Sequence, residues 1–142
     1  MFFLVDALVQ TGWVARLAVF LSSGVAGQPV ASALCFGFFT VMLCNLVNNQ
    51  PASILLSRVL LEPCVQALDF ASRQAAVLGC ILGCNLAANM TPIGALAGLL
   101  FLRLVEIHKA PLTVADFVKT GLTLNTLVCV VGFVILAGES VF

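Results

Sequence analysis

Two polar clusters interrupt a chain that is otherwise almost entirely apolar: CNLVNNQPAS at 44–53 and NLAANMTPIG at 85–94. The first offers Asn45, Asn48, Asn49, Pro51 and Ser53, and the second Asn85, Asn89, Thr91, Pro92 and Gly94. Amides and hydroxyls both donate and accept hydrogen bonds without carrying charge. Such a set suits a polar uncharged solute or a dehydrated cation, and it is poor at acid–base chemistry. No nucleophile–base pair accompanies it. His108 is the sole histidine and lies in EIHKAP, a charged loop, which is where a solvated surface residue belongs. These residues indicate binding rather than catalysis, and they call for no cofactor.

Backbone breakers sit inside both clusters. Pro51 suits the first turn of a new helix, where its missing N–H has no partner to lose. Asn48 and Asn49 either cap that helix or occupy the strained backbone of a tight reversal. Pro92 breaks a helical hydrogen-bond ladder, and Gly94 allows another backbone to come close. Asp6 is the one carboxylate deep in an apolar segment, so it is either a proton-coupling residue or an interfacial one. Of the six cysteines, Cys80 and Cys84 stand at helical i, i+4 spacing. They are either small packing residues or a soft thiol site for a metalloid.

The elements that position these groups belong to a membrane protein. Hydrophobic residues make up 62% of the 142, charged ones 8%, and mean hydropathy is +1.19. Soluble domains carry roughly a quarter charged residues. Lipid accepts an apolar exterior that water does not, so a bilayer is the first expected partner; the alternative is a subunit wholly buried in a soluble assembly. The net charge is zero and no basic tract occurs, which gives no reason to expect nucleic acid. The start, MFFLVDALVQTG, has neither a basic n-region nor a small-residue cleavage site, and reads as a membrane helix.

Segment lengths against about 30 Å of hydrocarbon predict one all-α membrane domain over 1–142. It has a transmembrane helix at 1–21, a turn at SSGVAGQP, a hairpin at 30–61, a broken transmembrane helix at 74–106 and a last transmembrane helix at 114–137. The second arm of the hairpin is too short to span. It is therefore either re-entrant, with the asparagines at a tip inside the bilayer, or an ordinary helix–turn–helix with its asparagines at the water interface. Irregular backbone at membrane depth is tolerated only where protein buries it or it lines a cavity. Interrupted helices of this kind build the binding sites of secondary transporters. At NLAANMTPIG the alternative is a proline kink with structural capping.

NLVNNQPASILL, then GCNLAANMTPIGALAGLLFLRLV, then APLTVADFVKTGL closely resemble the C-terminal part of arsenite/antimonite efflux permeases, the arsenical pump membrane proteins of the ion transporter superfamily. FFLVDALVQTG is similar to the helix that precedes their second hairpin. The resemblance covers essentially the whole chain but only about the last third of the family's length. It implies one repeat of an inverted-repeat, elevator-type transporter. In that arrangement the tip at Asn48, Asn49 and Pro51 meets the loop at Asn85, Asn89, Thr91, Pro92 and Gly94. It also implies export of trihydroxy-arsenic or antimony against proton entry, in a multi-pass inner or plasma membrane protein. Implied partners are an N-terminal transporter half or an oligomer partner and, in some systems, a soluble arsenite-stimulated ATPase. The chain departs from the family where Asn85 replaces a frequent acid and Ala87, Ala88 and Asn89 replace Gly-Pro-Lys-like residues. A sodium/proton or anion carrier piece and a small non-transporting membrane subunit are the alternative readings. Arg103, Lys109 and Lys119 flank EIHKAPLT, against Arg58 and Arg73 on the other long loop, which predicts a cytoplasmic EIHKAPLT and a hairpin entering from outside.

Overall fold

The computed structural model describes residues 2–87, 89–92, 96–108 and 113–139. Among them every regular element is an α-helix: α1 (Phe2–Gln10), α2 (Trp13–Ser22), α3 (Pro29–Val47), α4 (Asn49–Leu60), α5 (Pro63–Gln66), α6 (Phe70–Ala87), α7 (Leu96–Ile107) and α8 (Val114–Glu139). α3, α6 and residues Val114–Leu136 of α8 are long and apolar enough to cross a bilayer.

The expected single span over 1–21 is instead two short helices. Gly12 adopts a left-handed φ of 76°, a conformation open to a residue without Cβ. The Gly12 N–H donates to the Val9 carbonyl, and the Thr11 hydroxyl donates to the Ala7 carbonyl at 2.8 Å. These bonds close the end of α1, so α2 starts as a separate helix.

α3 and α6 form the centre. Their contact is lined by small side chains, Ser32, Ala33, Gly37, Thr40 and Cys44 against Ser72, Ala75, Ala76, Gly79, Cys80 and Gly83. The Ser32 hydroxyl donates across it to the Ser72 carbonyl at 2.7 Å. A Cβ on Gly79 would stand 2.7 Å from the Ala33 carbonyl oxygen. Close backbone approach of this kind drives helix association where lipid removes the hydrophobic incentive.

α4 returns from α3 through Asn48 and lays Leu56 and Val59 beside Val14, Ala18 and Leu21 of α2 and Phe36 of α3 in one apolar cluster. At 12 residues it is about 18 Å long, well short of the hydrocarbon thickness. α6 begins at Phe70, four residues before the expected start. The Asp69 carboxylate accepts the Ser72 N–H at 3.0 Å and caps the first turn. α8 touches α3 and α6 along one line, Asn125, Cys129 and Phe133, spaced four apart. Its other faces expose Leu122, Leu124, Leu127, Val131 and Ile135.

Candidate functional site

The two polar interruptions meet. Asn45, in the last turns of α3, sends its amide N–H to the Val41 carbonyl at 2.8 Å, and its carbonyl oxygen accepts the Thr91 hydroxyl at 2.5 Å. Thr91 lies 46 residues further on, in the segment between α6 and α7. The Asn45 side chain is thereby held at both ends and fastens the hairpin to the helix break. Beside it is a cavity of about 430 Å³, lined by Asn45, Thr91, Thr126, Met42, Met90 and apolar groups from α3 and α8.

The hairpin turns on one strained residue. Asn48 has φ 74° and ψ 155°, and it is the sole positive-φ residue other than glycine among the described residues. That region is almost reserved for glycine and costs of order 1–3 kcal/mol elsewhere. The Asn48 N–H closes α3 on the Cys44 carbonyl at 2.8 Å, and its carbonyl accepts the Ala52 N–H at 3.3 Å. Its side chain makes no cap bond, so of the two expected roles Asn48 takes the strained reversal. Asn49 opens α4, and Pro51 falls in the first turn of that helix, as its chemistry requires. Ser53 is exposed and bonds to the Gln50 carbonyl within the same turn.

On the other side of the break, α6 ends at Ala87 and leaves its last carbonyls without helical partners. The Leu86 carbonyl is satisfied twice, by the Asn89 N–H at 3.0 Å and by the Asn125 amide of α8 at 2.7 Å. Asn125 is 5% exposed, so an unpaired amide there would carry a desolvation penalty. The Asn89 carbonyl oxygen lies against Gly121 of α8, in the space that a Cβ would fill. A second cavity of about 410 Å³ opens here, lined by Asn89, Asp116, Thr120, Asn125, Phe101 and Phe117 among others. The Thr113 hydroxyl donates to the Asp116 carboxylate at 2.6 Å, and the Asp116 N–H donates back to the Thr113 oxygen at 3.2 Å. Together they cap α8, and Asp116 also lines the cavity.

The remaining sequence candidates fall elsewhere. Asn85 is exposed, bonds to the Ile81 carbonyl of its own helix and lines neither cavity. Pro92 is buried, and its Cα would lie 3.1 Å from a Cβ on Gly98 of α7. Gly94, with Ala88, Lys109 and Pro111, lies outside the described residues. Asp6 is exposed, accepts the Gln10 amide at 3.1 Å and lines a separate cavity of about 210 Å³ with Phe3, Val5, Ile54 and Arg58. Cys84 approaches Cys44 across the α3–α6 contact, sulfur to sulfur at 3.8 Å. His108 is exposed at the end of α7, with Nδ1 2.8 Å from the Leu104 carbonyl. Asn125, Asp116 and Gly121 are the residues that reading the two clusters alone passes over. An amide in the middle of LTLNTLVCVV, four residues after a glycine and four before a cysteine, is the signal that marks them.

The family model described as arsenical pump membrane protein matches residues 1–137. An arsenical pump membrane protein of Escherichia coli is 28% identical over 95 residues, covering 67% of this chain and 21% of the relative. One from Yersinia enterocolitica is 25% identical over 125 residues, covering 88% of this chain and 28% of the relative. The chain therefore spans only about a quarter of the length of these curated relatives. No solved structure matches it.

Proposed function

The chain belongs to the arsenical pump membrane protein family, and from that membership we propose that it supplies one half of the binding site of a secondary transporter. The transporter exports arsenite and antimonite across the cell's inner membrane against proton entry. The observation that carries this reading is the Thr91–Asn45 hydrogen bond, which ties the hairpin to the helix break beside a cavity that both residues line. Arsenous acid is a neutral trihydroxy solute. Each hydroxyl needs a donor and an acceptor when it leaves water, and amides and threonine hydroxyls supply both without attracting ions. A solute that replaces the Thr91–Asn45 bond with bonds of its own would loosen the hairpin from the break. Binding would thereby be coupled to a rearrangement of two elements that the empty site holds together.

The re-entrant depth of the hairpin, and the sliding of one repeat against the other that an elevator requires, belong to this proposal. Support comes from the 12-residue length of α4 and from the strained, bond-poor reversal at Asn48. Proton coupling is assigned to Asp116 rather than Asp6, because Asp116 shares a cavity with Asn89 and Asn125 whereas Asp6 lines a different one. A docked ATPase subunit stays within the proposal as a partner of the whole transporter.

The test is arsenite uptake into everted vesicles containing this chain together with the rest of the transporter. Thr91→Val and Asn45→Leu remove the bridge and its replacement donors. Each should cut proton-driven uptake about tenfold or more, the loss expected when roughly 1.4 kcal/mol of site complementarity disappears, with membrane accumulation unchanged. Asp116→Asn, which keeps the cap acceptor, should abolish the dependence on the proton gradient, while Asp6→Asn should leave it intact. Full transport in both Thr91→Val and Asn45→Leu would overturn the assignment.

A further inference from the structure

Next to the bridge residue Asn45 in the chain begins a pair of thiols that the proposed hydroxyl chemistry does not use. Cys44 immediately precedes Asn45, and its sulfur is 3.8 Å from that of Cys84 on the facing helix. Cys44 is fully buried and Cys84 partly exposed, so one member of the pair is reachable. The backbone holds the pair firmly: the Cys44 carbonyl accepts the Asn48 N–H at the hairpin turn, and Gly83, beside Cys84, lies against the Gly37 carbonyl of α3. Among the described residues no three His, Cys, Asp or Glu side chains gather into a site for a metal ion, so the capacity here is two ligands. Two thiols suit a soft centre rather than a hard cation.

We infer that Cys44 and Cys84 form a bidentate thiol site for a trivalent arsenical or antimonial, set one residue from the Asn45–Thr91 bridge. The chemistry balances without an oxidant. Two As–O bonds of arsenous acid break and two As–S bonds form. Each thiol proton leaves with one hydroxide as water, arsenic stays trivalent, and one hydroxyl is retained. With a third thiol the centre would be fully enclosed. With two, the retained hydroxyl leaves the reaction readily reversible, as a site on a transport path requires. The chelate would also join α3 to α6 across the contact on which the hairpin depends. The choice of arsenical rests on the proposed function, whereas the existence of the dithiol does not.

The experiment uses phenylarsine oxide, whose arsenic presents two replaceable bonds to oxygen, on the unmodified chain in membranes. Mass spectrometry of the extracted chain should show one phenylarsenic group gained per chain, with one water lost. Proteolysis of that adduct should yield the Cys44 and Cys84 peptides joined through arsenic, released by 2,3-dimercaptopropanol and not by a monothiol. Cys44→Ala or Cys84→Ala should lose the adduct, while Cys35→Ala, Cys64→Ala and Cys129→Ala should keep it. Mapping on the unmodified chain needs no variant to fold. Absence of the adduct, or a bridge confined to Cys80 and Cys84, overturns the inference. The assay contains no transport step. An intact adduct with failed arsenite uptake would therefore count against the transport reading alone, and intact uptake without the adduct against the dithiol alone.

Discussion

At the scale of single residues, most of what matters here is a side chain or backbone group that lacks alternatives. Asn48 is held in a region suited to glycine, and among the described residues its side chain makes no cap bond that repays the cost. Asn48→Gly should therefore stabilise the chain, by about 1–3 kcal/mol, read as a raised midpoint in detergent thermal unfolding. It should also slow arsenite uptake by freeing a reversal whose geometry is otherwise fixed. Asn48→Ala should do the opposite to stability. Asn125→Leu would strand the Leu86 carbonyl with one partner and place an apolar group where an amide is bonded. A loss of about 1–3 kcal/mol is expected, with uptake falling because the break beside Asn89 loses its brace. The identities of the clustered polar residues were legible in the sequence because amides stand out in apolar runs. Their pairing was not. Nothing in the spacing says that Asn45 rather than Asn48 or Asn49 meets Thr91, since that choice depends on how α3 rotates against α6.

At the scale of elements, the length of the apolar runs and the placement of Pro51 and Pro92 are what made a reversal and a helix break readable. The α3–α4 reversal falls at Asn48, and the last helix begins at Val114. The first segment could not be read this way. Its polar dip at Gln10, Thr11 and Gly12 is short enough to fit inside one span, and the Thr11 hydroxyl bond with the left-handed backbone at Gly12 divides it there. The early start of α6 has a similar origin in one side chain. Asp69 lies in the loop before the span, where it accepts N–H bonds from Ser72 at 3.0 Å and from Gly27 at 2.9 Å. The Ser72 bond foremost, with the Gly27 bond added, holds its carboxyl below the usual carboxylate range. Because the folded-state value is depressed, the stabilisation is complete above the unfolded value of about 3.9 and is lost as pH falls through the folded value. Thermal unfolding followed from neutral pH to below about pH 4 should show that acid loss in the native chain. Asp69→Asn should lower stability at neutral pH and flatten the acid limb, and an unchanged limb would remove Asp69 as the tether between the α2–α3 turn and α6.

At the scale of the whole molecule, α8 shows what the described helices leave uncovered. It buries Asn125, Cys129 and Phe133 on one line, while Leu124 is 60% and Leu127 66% exposed on the others. The Phe133 ring meets Phe38 edge to face at 5.4 Å, so this helix is docked on one side and open on the rest. Lipid can cover such a surface, and so, under the proposed function, can the second half of the transporter. The two coverings respond differently to substitution. Where lipid is the neighbour, Leu127→Arg should oppose insertion by about 3 kcal/mol at the helix centre, whereas Leu127→Ala should matter little. Where protein is the neighbour, Leu127→Ala should also lose packing, of order 2 kcal/mol or more. Carbonate-resistant membrane accumulation of the chain alone, and of the chain with the other half co-expressed, separates these cases. The proposed split site predicts that the chain alone accumulates in membranes without driving arsenite uptake. Uptake should appear only with the second half, and Leu127→Ala should weaken uptake only if that half covers α8. Uptake by the chain alone would mean that the bridge and the cavity beside it suffice, or that copies of this chain supply the missing surface to one another.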